Sequence, residues 1–390
     1  MVSPFRLELP AGSLLFAEGD PPTSAFLIER GEVEISTGEG DSRRVLGVLG
    51  PGSLLGEMAV IDDSPRTASA RALADCVLTP IDRMQFGERL QNADPVVRAL
   101  LLSQVARYRS ALAQFGGTAA AMGAQVNPLA GNASPAAALD KIRLENELRE
   151  ALDRHQLEVR LQPILDLAIG RIHGFEALTR WTHPERGPVS PADFIALAEE
   201  TSLILPVGEY VLGEVCLALR RFVDRGDDDP PFIALNVSGR QLADAGFHTR
   251  VLERLAALHL DPALLKIEIT ESLVLDYERV ADFIRRCHAA GMRVALDDFG
   301  TGYSNLGHVY RLAFDTIKLD QGFVRQLDDP RCLAVVRAVA SMAADLGCDL
   351  VAEGVEKEEQ LVQLGNLGYR FAQGYLIGKP LSVNEALRIR

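Results

Sequence analysis

The 390-residue sequence contains few cysteines, and their spacing indicates no shared site. The five are Cys76, Cys216, Cys287, Cys332 and Cys348, and no two of them have the C-x-x-C spacing of a zinc ribbon. An odd number of scattered cysteines also gives no indication of a disulfide framework. A chain of this length buries large hydrophobic cores, so it needs neither disulfides nor a structural metal for stability.

Long hydrophobic segments and excess positive charge are also missing. The apolar runs fall well short of the roughly 18 residues that cross a membrane. Residues 1–12 lack the basic and apolar regions of a signal peptide. We therefore expect a cytoplasmic protein without membrane attachment. The 40 Lys and Arg against 54 Asp and Glu give a net charge of −14, which argues against a nucleic-acid partner but not against a phosphate-bearing substrate neutralised by divalent metals.

An uncharged segment divides the chain into two halves. Residues 116–138 contain no charged or aromatic residue, several glycines and two prolines, which is typical of a flexible linker. An alanine-rich helix with frayed ends is the alternative. We therefore predict a first domain over residues 1–115, a linker over 116–138 and a second domain over 139–390.

The first half has the pattern of an antiparallel β protein. Short alternating runs separated by glycine-containing turns predict a jelly-roll barrel with flanking helices. A helical segment follows over residues 94–115, and its apolar residues have the a and d spacing of a coiled coil. These residues are Leu101, Val105, Tyr108, Leu112 and Phe115. The stripe predicts a homodimer, and packing of the helix on its own barrel is the alternative.

The second half alternates strands with amphipathic helices, which predicts a TIM-like (β/α)8 barrel. The eight candidate strands are EVRLQPIL, IHGFEALTRW, PFIALNVS, LLKIEITES, RVALDDFG, DTIKLD, CDLVAEGV and RFAQGYLIG. Polar side chains lie at or near the ends of five of them: Glu176, Asn236, Glu268, Asp297, Asp298 and Glu353. Each of these residues taken singly has an alternative role as a helix cap.

In a β/α barrel the carboxyl ends of all strands meet at one face, so these side chains are expected to lie together. Five carboxylates this close repel one another unless cations neutralise them, and oxygen ligands suit Mg²⁺ or Mn²⁺ better than zinc. Lys318 at the end of DTIKLD is suited to orient an attacking water or take its proton, and Arg180 to hold a phosphate. Two metals with these groups describe metal-assisted phosphodiester hydrolysis.

The motifs LQPI, FEALTRW, SPADFIALAEE, NVS, EITES, DDFGTGYSNL, DTIKLD, VAEGVE and AQGYLIGKP occur in this order through the second half. Together they resemble the EAL domain, the family of cyclic-di-GMP phosphodiesterases that open c-di-GMP to linear pGpG. The resemblance implies that Glu176, Asn236, Glu268 and Asp297 bind metal, with Asp298 and Glu353 at the second metal or its waters and Lys318 activating water. It also implies substrate contacts by Gln162 and Arg180, and supporting positions for Glu356 and Gln373.

Two further positions belong to the same resemblance. Glu271 matches the glutamate that anchors the DDFGTGYSNL loop in active members, and that loop needs Gly300 and Gly302 for tight backbone geometry. Leu161 replaces the usual aromatic residue before Gln162, and Asn305 stands where serine is commoner, so substrate affinity and turnover stay open.

The first half carries a glycine-framed arginine, Arg66, nine residues after Glu57. An arginine in an apolar barrel favours an anionic partner such as a cyclic phosphate, and a salt bridge to Glu57 or Asp62 is the alternative. The segments GEVEI, PGSLLGEMAV and PRTASA resemble cyclic nucleotide-binding domains of the catabolite-activator type. The resemblance implies that Arg66 holds the phosphate and Glu57 the ribose 2′-hydroxyl, with further contacts from Gly56, Thr67 and Ala68.

The sequence therefore predicts a c-di-GMP phosphodiesterase controlled by a cyclic mononucleotide, with cAMP favoured over cGMP. One alternative is a catalytically inactive receptor that binds both nucleotides and acts through a partner. Another is an active enzyme whose first half is a dimerising spacer with an empty pocket.

Overall fold

The structure is a computed structural model that describes residues 6–38, 40–83, 95–114, 135–226, 229–301 and 310–389. The chain divides into two compact units. The first consists of Met1–Arg154 with Ala196–Ser202, and the second of His155–Ile195 with Leu203–Arg390. In the part of the chain that the structure describes, no helix has the length and apolar character needed to span a bilayer.

The first unit contains two four-stranded antiparallel sheets, ordered β1-β8-β3-β6 and β2-β7-β4-β5. The strands are β1 (Leu7–Leu9), β2 (Leu14–Phe16), β3 (Ser24–Arg30), β4 (Val33–Thr37), β5 (Arg44–Leu49), β6 (Leu54–Leu55), β7 (Ser69–Ala72) and β8 (Cys76–Asp82). A 3-10 turn at Gly40–Ser42 precedes β5. This arrangement confirms the predicted jelly roll.

Apolar residues alternate with polar ones along these strands, and the apolar side chains fill the space between the two sheets. Ile28, Val33, Leu55 and Leu78 are at most 2% exposed and form the centre of this core. The turn between β3 and β4 requires Gly31, which has φ +92°. A Cβ at this position would lie 2.5 Å from the Cys76 sulfur, so any side chain would clash with β8, the strand that pairs with β3.

The described residues of the first unit form three α-helices: α1 (Glu57–Ile61), α2 (Pro95–Gln114) and α3 (Pro135–Asp153). Helix α3 begins four residues before the end of the predicted linker, and residues 115–134 lie outside the described residues. The Arg143 guanidinium of α3 pairs with the Glu29 carboxylate, with 2.7 Å between Nε and Oε1. Asn146 donates to the Pro80 carbonyl at 3.3 Å. The domain boundaries stay a prediction, and the one proposed at residue 139 falls within this helix.

The apolar stripe of α2 is divided between two environments. Val105 is 6% exposed, whereas Leu101 and Tyr108 are 40% and 38% exposed. Phe115 and the side chain of Leu112 lie outside the described residues. Part of the stripe therefore packs within the chain, and the homodimer stays a prediction that rests on Leu101 and Tyr108.

The second unit is a closed eight-stranded barrel in the order β10-β12-β13-β14-β15-β16-β17-β9, with β9 also pairing with β10 and β11 extending β10 as a hairpin. The strands are β9 (Leu157–Asp166), β10 (Arg171–His183), β11 (Gly187–Val189), β12 (Phe232–Asn236), β13 (Leu265–Thr270), β14 (Arg293–Phe299), β15 (Thr316–Leu319), β16 (Asp349–Ala352) and β17 (Phe371–Gln373). All eight predicted strands form the barrel wall.

One strand departs from the all-parallel pattern of a (β/α)8 barrel. Strand β9 is antiparallel to both of its neighbours, β10 and β17. Only residues 167–170 connect β9 to β10, and a connection this short makes a hairpin because a parallel pair needs a crossover of a dozen or more residues. The other seven strands are parallel, so their carboxyl ends meet at one mouth.

The described helices of the barrel connect these strands. They are α4 (Pro191–Glu200), α5 (Ile204–Asp224), α6 (Gly239–Ala243), α7 (Phe247–Ala257), α8 (Tyr277–Ala289), α9 (Gln321–Arg325), α10 (Pro330–Leu346), α11 (Glu358–Asn366) and α12 (Val383–Ala386), with 3-10 turns at Pro262–Leu264 and Glu271–Leu275. Amphipathic α5 shows how they pack, since Val207, Val211, Val215 and Leu219 are at most 6% exposed.

Candidate active site and sensor pocket

A buried lysine lies at the centre of the acidic mouth. Lys318 on β15 is 1% exposed, and its Nζ lies 2.8 Å from Glu353 Oε1 and 2.9 Å from Asp297 Oδ1. The same atom lies 3.0 Å from Glu268 Oε2 and 3.4 Å from Glu176 Oε2. The sequence prediction that this lysine faces inward among the carboxylates agrees with the geometry. One ammonium offsets only part of the charge of four carboxylates.

Two side-chain amides orient Glu176 within this cluster. Asn236 Nδ2 donates to Glu176 Oε1 at 2.9 Å, and Gln373 Nε2 donates to Glu176 Oε2 at 2.7 Å. Gln373 Oε1 is buried and has no hydrogen-bond partner among the described residues. Gln162 on the neighbouring strand donates to the Gly378 carbonyl at 3.3 Å. The amides thus hold one carboxylate fixed and leave one oxygen available to another group.

The carboxylates form two groups with the geometry of metal sites. Glu176, Glu268 and Asp297 offer ligand oxygens within 4.8 Å of one another, and so do Asp297, Asp298 and Glu353. Asp297 belongs to both groups. The donor set consists of carboxylate and amide oxygens, which fits Mg²⁺ or Mn²⁺ and does not fit a soft metal.

A local irregularity in β14 brings two consecutive aspartates to the same mouth. Neighbouring residues of a regular strand point to opposite faces. Asp298 has φ +55°, in the left-handed region, and the pairing of β14 with β15 shifts register between Leu296 and Phe299. This bulge turns Asp298 toward the side of Asp297. A left-handed conformation in a non-glycine residue costs on the order of 1–3 kcal/mol, which marks the position as functionally constrained.

Burial and mutual repulsion shift the pKa values of the cluster. Burial alone would lower the pKa of Lys318, but Asp297 and the other nearby carboxylates outweigh it and hold that pKa well above its usual value. Burial raises the pKa of Glu268 despite the opposing effect of Lys318. Burial also raises the pKa of Glu353 to about 8, with Lys318 acting in the opposite direction. The site is therefore short of positive charge.

A cleft of about 290 Å³ opens over the cluster. Its lining includes the predicted residues Gln162, Glu176, Asp297, Asp298, Glu353, Glu356 and Gln373. Arg180, predicted to hold phosphate, is not part of the described lining, and it donates to the Thr179 carbonyl at 2.9 Å. Arg325 at the end of α9 is the positively charged residue in this lining, and its Nη2 lies 3.8 Å from Glu356 Oε1.

Sequence reasoning missed Arg325 and also Tyr375, which lines the same cleft and is 63% exposed. Arg325 follows Lys318 by seven residues, in the helix that leaves the same strand. Residues that follow the end of a barrel strand lie on the face where the active site forms, so this position could have identified Arg325 from the sequence.

The DDFGTGYSNL loop is anchored at its first glycine. The Gly300 amide donates to Glu271 Oε2 at 2.8 Å, and Glu271 is 9% exposed. Gly300 has φ +99°, and a Cβ there would lie 2.4 Å from the Phe323 ring. Glu271 is thus placed where the resemblance predicted, whereas Gly302 and Asn305 lie outside the described residues.

The first unit buries Arg66 beside the start of helix α1. Arg66 is 4% exposed, and its guanidinium donates to the carbonyls of Gly56, at 2.7 Å, and of Ser24. Its central carbon lies 4.3 Å from the centre of the Phe16 ring. The buried Nε has no hydrogen-bond partner among the described residues. This guanidinium has neutral partners and a free donor, so it is suited to an anion.

Of the other predicted binding residues, Gly56 and Glu57 lie near the same guanidinium, and Thr67 and Ala68 follow Arg66 along the chain. Gly56 has φ +75°, and a Cβ there would lie 2.4 Å from Arg66 Nη1, so glycine is required at this position. Glu57 opens α1, and burial raises its pKa although Arg66 opposes the shift. Thr67 is half-buried and Ala68 is 8% exposed, immediately before β7. No salt bridge joins Arg66 to Glu57 or Asp62 among the described ion pairs, which disfavours the alternative assignment.

An arginine of α2 clamps the segment that leads to this pocket. The Arg109 guanidinium forms a two-point ion pair with Asp62, with 2.8 Å between Nη2 and Oδ1. It also donates to the Pro65 carbonyl at 3.2 Å. Pro65 directly precedes Arg66, so the clamp connects α2 to the arginine-bearing loop. Sequence reasoning had assigned Asp62 only as an alternative partner of Arg66.

Comparison with known families accounts for both units. The EAL domain family matches residues 145–380, more than half of the chain. The chain belongs to the EAL domain family. The cyclic nucleotide-binding domain family matches residues 6–93, so the EAL domain follows a domain of that second family. Both resemblances stated from the sequence are confirmed.

Curated relatives match about 250 residues of the chain. The chain is 39% identical over 252 residues to the bifunctional diguanylate cyclase/cyclic di-GMP phosphodiesterase MucR of Pseudomonas aeruginosa, covering 64% of this chain and 37% of that protein. It is 38% identical over 240 residues to the cyclic di-GMP phosphodiesterase PdeR of Escherichia coli, covering 61% and 36%. The chain thus spans about a third of the length of these relatives.

Solved structures of one enzyme match nearly the whole chain. The EAL enzyme Bd1971 in its cAMP-bound form is 32% identical, with a TM-score of 0.64, covering 98% of this chain and 99% of that one. A form of the same enzyme with both cAMP and cyclic-di-GMP bound gives a TM-score of 0.65 at the same identity and coverage. The two-domain arrangement along the sequence is therefore shared with a structurally characterised protein.

Proposed function

We propose that this EAL domain protein hydrolyses c-di-GMP to linear pGpG by metal-assisted attack of water. The observation that carries the proposal is the pair of carboxylate groups that share Asp297 and surround Lys318. A cluster built only for stability would not gather four carboxylates around one ammonium, because their repulsion and desolvation oppose folding. The phosphodiesterases among the relatives support the same chemistry.

The two groups would hold two divalent ions, Mg²⁺ or Mn²⁺. Glu176, Asn236 and Glu268 would complete one site, Asp298 and Glu353 the other, and Asp297 would belong to both. Divalent ions held by these residues would supply Lewis-acid chemistry, polarising the phosphodiester and making a water more acidic.

The chain's own residues orient the reactants. Lys318 is held in place by its carboxylate contacts, so its ammonium donates to and orients the attacking water. Gln373 fixes Glu176, and its free Oε1 faces no competing donor among the described residues. Gln162 and Tyr375 line the cleft where the substrate lies, and Arg325 supplies a fork for a phosphate.

The experiment that tests this function is product analysis. Purified full-length protein is incubated with c-di-GMP and Mg²⁺ or Mn²⁺, and the nucleotides are separated by chromatography. We expect pGpG with either ion and none after chelation. A receptor, the second candidate, would return intact c-di-GMP under all of these conditions.

Arg325→Gln should raise the KM for c-di-GMP roughly tenfold with little change in kcat. The loss of one charge-assisted contact outside the metal cluster weakens binding of substrate and transition state alike. Steady-state kinetics of Arg325→Gln against Arg337→Gln, an exposed arginine on α10, measures the effect. Equal KM values for the two variants would remove Arg325 from the substrate site.

We further propose that the first domain binds a cyclic mononucleotide, cAMP in preference to cGMP, and that binding controls hydrolysis. The Arg66 guanidinium, with its free Nε and its neutral partners, supports an exocyclic phosphate as the ligand. Solved structures of the EAL enzyme Bd1971 with cAMP and with cGMP support the same ligand class. We propose that the signal leaves the pocket through the Arg109 clamp and α2.

Arg109→Gln should reduce the effect of cAMP on hydrolysis several-fold while cAMP still binds. The substitution removes the ion pair that ties α2 to Asp62, so ligand-induced movement of the loop no longer shifts the helix. The measurement is turnover across a cAMP titration. Arg107→Gln is the matched control, because the Arg107 guanidinium donates to the Ser103 carbonyl of its own helix at 3.4 Å. An unchanged cAMP response in Arg109→Gln would exclude the clamp as the route.

A further inference from the structure

The end of the barrel opposite the acidic mouth contains a second cleft, with a volume of about 380 Å³. Phe232 and Arg293 are the first residues of β12 and β14, and Lys266 is the second residue of β13. These positions lie at the amino-terminal ends of parallel strands, away from the metal-binding groups. We call this the basic cleft, and its remaining lining is His173, Asp229, Pro230, Asp261, Ala263 and Leu264.

A buried lysine that forms no ion pair with a described carboxylate lies in the lining of the basic cleft, and Glu268, Asp349 and Asp315 act on it only at longer range. Lys266 is 4% exposed, and its Nζ donates to the Thr316 hydroxyl at 3.2 Å. The same ammonium lies 4.1 Å from the centre of the Phe232 ring and 5.6 Å from that of Phe371. Among the described residues no carboxylate lies within 4.0 Å of it. A buried cation with one neutral hydrogen bond and aromatic faces is incompletely compensated.

A second unpaired cation stands at the entrance. Arg293 is exposed, and the described part of the chain provides no carboxylate within ion-pair distance of it. His173 stacks on Phe371, with ring centres 5.7 Å apart, and its Nδ1 lies 3.9 Å from an Asp229 oxygen.

The two acidic residues of the lining, Asp229 and Asp261, form no ion pair with Lys266 or Arg293. The Asp229 side chain is 80% exposed. Asp261 accepts a hydrogen bond from the Ala263 amide as the cap of a 3-10 turn. The carboxylates therefore lie at the rim, while the floor and the entrance carry positive charge.

We propose that the basic cleft binds a phosphate group, either inorganic phosphate or the terminal group of a small phosphate monoester. A dianion matches two cations that lack partners, with Lys266 acting as a point charge and the Arg293 guanidinium as a planar fork. A volume of about 380 Å³ accommodates a small monoester. The site lies outside the catalytic and sensor pockets, so it is independent of the proposed function.

The test is thermal unfolding of the full chain in phosphate and in chloride at matched ionic strength. The sequence contains one tryptophan, Trp181, which is 1% exposed on β10, so its fluorescence reports the barrel. At phosphate concentrations about tenfold above Kd we expect the midpoint to rise by about 2–4 °C. The shift with glycerol phosphate, compared with that of inorganic phosphate, identifies which source of the group is preferred.

Lys266→Met should abolish the increase in unfolding midpoint that results from phosphate binding in this cleft. Because Lys266 is buried, the exposed Arg293→Gln serves as a second variant whose folding is not at risk, and it should lose at least half of that increase. Arg337→Gln, an exposed arginine elsewhere on the barrel, is the matched control and should keep the full shift. If Arg293→Gln and Lys266→Met both respond to phosphate as the wild type does, the cleft binds no phosphate and the proposal is overturned.

Discussion

Lys318→Met should abolish c-di-GMP hydrolysis and destabilise the metal-free barrel by about 3–5 kcal/mol. The substitution removes the ammonium that four buried carboxylates share, so their mutual repulsion is left uncompensated. The loss of water orientation should lower kcat by about 10²–10⁴-fold. Denaturant unfolding followed by Trp181 fluorescence measures the stability, and product formation measures the turnover. Mn²⁺ should restore much of the lost stability without restoring turnover.

Glu176→Gln is the matched variant with the opposite effect on stability. It removes one negative charge from the same cluster and keeps the shape of the side chain. The new amide group would oppose the Gln373 Nε2 donor, but a flip of the Gln373 amide turns its free Oε1 toward that group as an acceptor. The metal-free barrel should therefore be at least as stable as the wild type. Hydrolysis should still be lost, because Glu176 belongs to the first metal group. A Lys318→Met protein as stable as Glu176→Gln would contradict the account of the cluster's charge.

Arg66→Ala should weaken cAMP binding by roughly 10–100-fold or more. Charge-assisted hydrogen bonds to a phosphate contribute about 1.5–3 kcal/mol, and the buried guanidinium is the cation that the structure places in this pocket. Isothermal titration calorimetry with cAMP and with cGMP measures the loss and also determines which base is preferred.

Two companion variants make the Arg66 experiment specific. Arg66→Lys keeps the charge but not the fork, so its affinity should be intermediate. Arg71→Ala removes an arginine of β7 that donates to the Gly12 carbonyl, and it should bind cAMP normally. If Arg66→Ala retained wild-type affinity, the pocket beside α1 would not be the cyclic nucleotide site.

The barrel strands were predictable because each is a short apolar run, and the segments between these runs have the amphipathic pattern of helices. All eight predicted strands form the barrel wall, and the polar residues at their ends lie at one mouth. The reversal of β9 was not predicted, since strand direction depends on the length of the connection and not on the strand's own residues. Helix α3 was missed for a different reason: its first turn, PAAA, has the same composition as the uncharged segment before it.

The site was predictable where residue type and position coincide, as at Glu176, Asp297 and Lys318. The site was harder to predict where backbone geometry or a neighbouring helix determines which side chains enter it. The left-handed conformation of Asp298 and the register shift of β14 leave no mark in the sequence, and they bring two adjacent aspartates together. Arg180 fits a phosphate contact by type but is not among the residues that line the cleft, whereas Arg325 of α9 is.

The most direct test of the account is the rate of pGpG formation by the full-length protein with Mn²⁺ across a cAMP titration. The account predicts metal-dependent hydrolysis whose rate changes with cAMP and reaches a plateau, and a rate in Arg66→Ala that does not respond to cAMP. Recovery of intact c-di-GMP at every cAMP concentration would contradict the enzymatic role, and a rate independent of cAMP in the wild type would contradict the control by the first domain.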